Sequence, residues 1–161
     1  MNREIIFLAA LIFSAIPAAE AYDSTATFQS GKWTVNTSVN EVDNTAVCTA
    51  VYQGNEHVQL SSDALYVGVR GGISTVTLHL DDKPARPVRP ATEREDSMGT
   101  VIFADDELAQ VITSRKLHAE VVTISNGVQT IDLDLDGIGA AIKHIRSDCS
   151  AKAPENLRKH P

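Results

Sequence analysis

The sequence lacks the short motifs by which the commoner enzyme classes are recognised. It has no Gly-x-Ser-x-Gly elbow of a serine hydrolase and no His-Glu-x-x-His helix of a zinc enzyme. The run Ser61-Ser62-Asp63 has the composition of an ordinary turn. We therefore expect a protein that is not an enzyme, with an enzyme of unrecognised, scattered catalytic residues as the alternative.

Clustered metal ligands are missing as well. The five histidines are scattered, and no Cys-x-x-Cys pair is present. Asp132, Asp134 and Asp136 resemble the start of a calcium-binding loop, but the twelfth position, which needs a bidentate acid, is Lys143. We expect no metal and no cofactor, and we interpret Asp132 and Asp134 as outward-facing residues of a strand.

Only one long apolar run occurs, and it lies at the N-terminus. Arg3 precedes the run 5–16, and Ala19-Glu20-Ala21 places small residues at cleavage positions. This pattern predicts a signal peptide over residues 1–21, cleaved after Ala21. The alternative is an uncleaved anchor, but the run is shorter than the roughly 20 residues that span a bilayer. No other run could cross a membrane, so we expect no integral membrane segment in the mature chain.

Positive charge is scarce. The formal net charge is −7, and Arg3, Glu4 and Glu20 contribute −1 of it, which leaves −6 on the predicted mature chain of 140 residues. Nucleic-acid binders are generally basic, so this balance argues against a nucleic-acid partner. A length of 140 residues suits one domain with a sizeable core.

Cysteine is limited to Cys48 and Cys149. An even number of cysteines in an exported chain predicts one disulfide, here between these two residues. Two buried free thiols are the alternative.

Short alternating segments dominate the rest of the chain. They predict about eight strands, at residues 32–39, 45–53, 57–60, 65–70, 75–80, 99–103, 117–124 and 128–135. Gly71-Gly72 and Asn126-Gly127 are typical hairpin turns. One short helix is predicted before the last hairpin and one after it, where Ile138, Ala141, Ile142 and Ile145 form an apolar stripe that extends to Cys149.

The fold class predicted is a mainly β, two-sheet sandwich over residues 22–149, followed by a polar tail over 150–161. Inward-facing positions of the strands and of the last helix define the core. The predicted core residues are Trp33, Val35, Val47, Leu65, Val67, Val76, Leu78, Val121, Ile131, Leu133, Ile142 and Ile145.

Residues 81–96 differ from the rest of the chain in having a proline at every third position, at Pro84, Pro87 and Pro90. This spacing favours an extended ribbon at an edge or in a loop. The cations in it are Lys83, Arg86, Arg89 and Arg94. We regard these four as candidate partner-binding residues; the alternative is a stiff connecting loop.

Three stretches resemble the invasion-associated locus B family of bacterial envelope proteins. They are Gly31-Lys32-Trp33-Thr34-Val35 followed by the Cys48 strand, the stretch 78–84 with its aspartate pair and Lys83-Pro84, and residues 103–149 with a Gly-x-x-Ala-Ala helix from Gly137. Family members often carry further cysteines that this chain lacks, so their disulfide pattern is not transferred. The family is named for a phenotype, and it supplies no catalytic residues.

The resemblance implies an exported, non-enzymatic protein of the periplasm or the secreted fraction, with a role in host-cell contact or envelope integrity. We expect a protein partner in the envelope or on a host cell. The alternative function is a periplasmic inhibitor or accessory subunit of an envelope enzyme, for which the proline-rich ribbon would enter a cleft.

Overall fold

The computed structural model describes residues 24–40, 42 and 45–149. The predicted signal peptide (1–21) and the predicted tail (150–161) lie outside the described residues. The strands are β1 (Thr25–Ser30), β2 (Trp33–Val39), β3 (Ala46–Tyr52), β4 (Asn55–Leu60), β5 (Ala64–Gly68), β6 (Ile73–Leu80), β7 (Arg89–Pro90), β8 (Thr100–Ala104), β9 (Lys116–Thr123) and β10 (Gly127–Asp134). The helices are α1 (Glu93–Met98), α2 (Asp105–Val111) and α3 (Ile138–Asp148).

The strands form two antiparallel sheets. One has six strands in the order β1-β2-β3-β4-β5-β8, and the other has four in the order β10-β9-β6-β7. The predicted mainly β, two-sheet architecture with a C-terminal helix is confirmed. The described part contains β1, β7 and α1 in addition to the predicted elements. The sequence of β1 is polar and mostly exposed, so it lacks the apolar alternation that marks a half-buried strand.

The inner face of the six-stranded sheet carries the core. A row of cross-strand neighbours runs over five strands, and every member of it is buried. This row consists of Val35, Ala50, Leu60, Leu65 and Phe103. Buried residues of the four-stranded sheet and of α3 join it in one contiguous hydrophobic core.

Helix α3 packs against β1, β2 and β3. Its predicted apolar stripe is buried, and the ring of His144 stacks on Phe28 of β1 with centroids 4.5 Å apart. At the start of α3, the backbone N–H of Lys32 donates to the carbonyl of Asp136. Contacts between the two ends of the described fold, β1 with the turn after it and α3, therefore stabilise both elements.

Two sequence-based expectations are wrong. Val47 is 44 % exposed, because its neighbour Cys48 pairs with the buried Thr37 and takes the inward direction. Gly71-Gly72 do not close a hairpin: β5 pairs with β4 and β8, whereas β6 pairs with β7 and β9. These glycines carry the chain from one sheet to the other. The other predicted core residues are buried.

Candidate functional site: a clamped proline-rich strap

The proline-rich ribbon, residues 83–94, lies along the edge of β6, and we call it the strap. Its short strand β7 pairs with β6, and the backbone N–H groups of Arg86 and Ala91 donate to the carbonyls of Leu78 and Ser74. Residues 84–88, which precede β7, have no regular structure. This agrees with the expectation of an edge, since proline cannot donate to a ladder.

Arg89 holds the strap to the body of the domain. Its Nη1 and Nη2 atoms bind the two carboxylate oxygens of Glu95 at 2.9 and 2.8 Å. Its Nε donates to Glu107 at 3.2 Å, and Nη2 also reaches the carbonyl of Ile102 at 3.3 Å. A bidentate guanidinium–carboxylate pair fixes orientation as well as distance, so Arg89 clamps the strap against β8 and α2.

Glu95 is the buried partner in this clamp, with only 1 % of its surface exposed. Burial by itself raises the pKa of this carboxyl, but hydrogen bonds from Arg89 and from the backbone N–H groups of Ile102 and Thr92 outweigh it and lower the pKa to about 2. The bond with Glu95 in turn raises the pKa of Arg89. Both groups are therefore charged throughout the physiological range.

Thr92 and Glu95 also form the capping box that begins α1. The Thr92 hydroxyl accepts from the Glu95 N–H at 3.2 Å, and the Glu95 carboxylate accepts from the Thr92 N–H at 2.9 Å. The Glu95 carboxylate therefore has two roles: it caps the N-terminus of α1, and it forms the ion pair with Arg89. The pattern Thr-x-x-Glu is a known signal for a helix start, and it would have revealed α1 in the sequence.

The four candidate partner-binding residues differ in how far the structure exposes them. Lys83 and Arg94 are exposed, whereas Arg89 is turned inward onto Glu95. Arg86 is intermediate, with 34 % of its side chain exposed and its Nη1 3.8 Å from Glu107. The sequence alone did not distinguish Arg89 from the exposed cations. Its acidic partners, Glu95 and Glu107, lie 6 and 18 residues away from it in the chain.

The exposed surface of the strap combines apolar and cationic groups. Val88 is 63 % exposed, and Pro87 and Pro90 beside it are exposed as well. Proline and the Arg89 clamp both restrict this backbone before anything binds. A restricted contact segment loses less conformational entropy on binding, which favours affinity.

The disulfide predicted between Cys48 and Cys149 is present. It joins β3 to the C-terminal end of α3, with Cα atoms 5.9 Å apart and a sequence separation of 101 between the two cysteines. The Thr37 hydroxyl lies 3.1 Å from the Cys48 sulfur. Disulfides persist in oxidising compartments, so this bond is consistent with an extracytoplasmic protein.

The three aspartates that resemble a calcium loop serve other contacts. Asp132 binds Nδ1 of His118 at 2.7 Å, and Asp134 accepts from the backbone N–H of Asp136 at 3.0 Å. Both Asp132 and Asp134 are exposed on β10, as predicted. Among residues 24–40, 42 and 45–149, no three His, Cys, Asp or Glu side chains are grouped so that they could hold a metal ion. Over the same ranges, every helix is too short or too polar to cross a membrane.

The fold is a two-sheet β architecture, and the disulfide in it is consistent with an extracytoplasmic protein. The fold is similar to that of the crystal structure of invasion associated protein B from Bartonella henselae, with a TM-score of 0.51 and 18 % sequence identity. The alignment covers 76 % of this chain and 96 % of that one. No protein-family profile matches the sequence, and no curated protein matches it. The likeness supports the fold implied by the resemblance and leaves family membership as a prediction.

Proposed function

We propose that this chain is an exported bacterial envelope protein that acts by binding another protein and catalyses no reaction. The observation that carries the proposal is the clamped strap. The Arg89 side chain binds Glu95 and so holds the strap in place. Val88, Lys83 and Arg94 remain exposed. A side chain that orders a segment, beside others that face solvent on it, is the arrangement expected of a preorganised contact surface.

The fold similarity supports a role in host-cell contact or envelope integrity. The Bartonella henselae protein is named for its association with invasion, and the two chains share a fold. The disulfide supports export, because such bonds form outside the cytoplasm.

A second function, inhibitor or accessory subunit of an envelope enzyme, is favoured by the shape of the strap. The exposed side chain of Val88 lies between two rigid residues, Pro87 and Pro90, which are exposed as well. Rigid segments that insert into a cleft bind with little reorganisation of either partner.

The test is a pull-down with the full oxidised chain, from envelope extract and from host-cell membranes in parallel. The strap variant carries Lys83→Ser, Val88→Ser and Arg94→Ser, and it keeps the Arg89 clamp intact. The matched control carries Lys32→Ser, Val47→Ser and Lys143→Ser, which likewise replace two exposed cations and one exposed valine, all outside the strap.

One envelope enzyme that is lost only with the strap variant would support the inhibitor function. A partner found only in host membranes, and lost in the same way, would support host-cell contact. Recovery of the same partner by the strap variant would remove the strap as the contact surface. Recovery of nothing from either source would contradict a protein-binding function.

A further inference from the structure

The two sulfurs of the disulfide lie in different surroundings. Cys48 belongs to β3, which lies inside the six-stranded sheet between β2 and β4, and it packs against the hydrophobic core. Cys149 is the C-cap residue of α3 and is half-buried. A thiolate that attacks a disulfide bonds to one sulfur and displaces the other, so these surroundings determine which sulfur is attacked.

Thr37 places a hydroxyl against the Cys48 sulfur. Thr37 is only 5 % exposed, and its Oγ1 lies 3.1 Å from Cys48 Sγ. A disulfide sulfur carries no hydrogen, so the Thr37 hydroxyl is the donor in this contact. Thr27 Oγ1 lies 3.0 Å from Thr37 Oγ1 and can donate to it in turn. The two hydroxyls thus form a short chain of donors that ends on Cys48.

Cys149 stands at the negative end of a helix. The last carbonyl groups of α3 give its C-terminal end a partial negative charge, which disfavours an anion there. Arg146, the basic residue of the last turn, donates its Nε to the carbonyl of Ser62 at 2.9 Å and is bound to the turn after β4. A thiolate is therefore better stabilised on Cys48, beside a hydroxyl donor, than on Cys149.

Exchange is faster when the sulfur that leaves is the better stabilised thiolate. We propose that Cys149 is the exchange site of this disulfide: an external thiolate attacks its sulfur, and Cys48 is the leaving group, which the Thr37 hydroxyl stabilises. This proposal does not rest on the proposed function, since all of these residues lie outside the strap.

The reaction consists of two displacements. In the first, the attacking thiolate bonds to Cys149 Sγ, the bond to Cys48 breaks, and Cys48 leaves with the electron pair and then takes a proton from solvent. In the second, another external thiolate attacks the external sulfur of the mixed disulfide and releases Cys149 as a thiolate. The chain gains two electrons, and the external thiols are oxidised to a disulfide.

The same path in reverse forms the bond. An external disulfide reacts with the Cys149 thiolate to give the mixed disulfide and one free external thiolate. The Cys48 thiolate then attacks Cys149 Sγ and displaces the second one. Thr37 is thus a positioning residue for the nucleophile of the last step. The class of partner that this path takes is a dithiol–disulfide oxidoreductase, which becomes joined to the chain through Cys149.

Trapping of the mixed disulfide on the full oxidised chain is the first test. The chain is mixed with excess reduced glutathione, free thiols are blocked with N-ethylmaleimide at short times, and mass spectrometry locates both groups. We expect glutathione on Cys149 and maleimide on Cys48 in an excess of about tenfold, the order of factor that one hydrogen bond to a charged group supplies. Equal amounts on the two sulfurs, or glutathione mainly on Cys48, would overturn the proposal.

Substitutions at Thr37 test the origin of the preference. Thr37→Val keeps the branched shape and removes the hydroxyl, so reduction by dithiothreitol under native conditions should slow by about tenfold. Thr37→Ser keeps the hydroxyl and should retain most of the natural rate. The matched control is Thr49→Val, next to Cys48 in β3 but on the opposite face of the strand, which should leave the rate unchanged.

The direction of the change separates this role from a structural one. A substitution that only loosened the fold would open the disulfide to the reductant, and the variant would be reduced faster than the natural chain. A rate for Thr37→Val equal to the natural one, or above it, would therefore overturn the assignment of Cys48 as the leaving group. The glutathione map uses the natural chain, so it decides the site of attack whether or not Thr37→Val folds.

Discussion

Gly31 and Gly137 interlock where the turn after β1 meets the start of α3. A Cβ atom on Gly31 would collide with the backbone carbonyl of Asp136, and one on Gly137 would collide with that of Ser30. Both glycines have positive φ, +52° and +86°. They belong to two of the stretches that carry the family resemblance, so those stretches meet in space at a backbone contact that only glycine permits.

Replacement of Gly137 by alanine should destabilise the domain strongly. The left-handed backbone alone costs about 1–2 kcal/mol for a residue with a Cβ, and the collision with the backbone of Ser30 adds to this cost. Urea unfolding of the Gly137→Ala chain measures the loss. Gly54→Ala is the control, because Gly54 also has positive φ (+82°) but no atom lies within 4 Å of its Cβ position. Equal losses in the two variants would show that the contact contributes nothing.

The Arg89 clamp should be far more sensitive to mutation than its exposed neighbour Arg94. Arg89→Ala leaves the buried Glu95 without its charge partner, and breaking a buried pair in this way costs about 3–5 kcal/mol. Arg94→Ala should stay within about 0.5 kcal/mol, as is usual for surface changes. The measurement is the free energy of unfolding of each variant. Similar losses in Arg89→Ala and Arg94→Ala would contradict a stabilising role of the Arg89–Glu95 pair.

Acid should weaken the fold through Glu95. Its pKa is about 2 in the folded chain against an ordinary 4.5, so its contribution is complete above about pH 4.5 and is lost as the pH falls towards 2. A shift of this size corresponds to roughly 3 kcal/mol. Asp81, whose pKa is lowered by the backbone N–H groups of Arg115 and Lys116, acts in the same direction.

The check is the free energy of unfolding from pH 7 to pH 2, for the natural chain and for Glu95→Gln. The natural chain should lose stability steeply below pH 4.5. The variant should start lower at pH 7 and lose less over that interval, because it has no carboxyl to protonate at this position. Parallel curves would mean that other carboxylates govern acid unfolding.

The disulfide should stabilise the fold by about 2–5 kcal/mol, since it closes a long loop in the unfolded chain by joining cysteines with a sequence separation of 101. Unfolding with and without dithiothreitol measures this contribution. The paired variant Cys48→Ser, Cys149→Ser should reproduce the reduced protein and should no longer respond to the reductant. A reductant effect that persists in this variant would exclude the disulfide as its source.

The sequence predicted the parts of the fold in which periodicity and burial coincide. Residues 117–135 alternate cleanly and form the β9–β10 hairpin, and the stripe from Ile138 to Ile145 is buried as expected. The disulfide was predicted from the cysteine count together with the predicted signal peptide. In each case a local pattern was sufficient, because the feature is specified by neighbouring residues or by a single pair.

The sequence-based predictions were incomplete or wrong where contacts between residues distant in the chain determine the structure. Nothing near Arg89 indicated that Glu107 would approach it across 18 residues. Gly71-Gly72 has the composition of a hairpin turn, but the pairing of β5 with β8 takes the strand elsewhere. Val47 was misplaced by one residue of register, which in a strand reverses the face.

The contact between β1 and α3 also bears on when the domain can fold. Phe28 and His144 stack although 116 positions separate them in the chain. The disulfide of Cys48 likewise cannot form before Cys149 has been synthesised. Contacts this distant in sequence form slowly, since a long loop must close before they contribute. During synthesis β1, β2 and β3 lack α3 as a packing partner, so we expect the domain to complete its fold only after this helix has emerged. A narrow export channel passes unfolded chains, so late folding of this kind would suit the export that we propose.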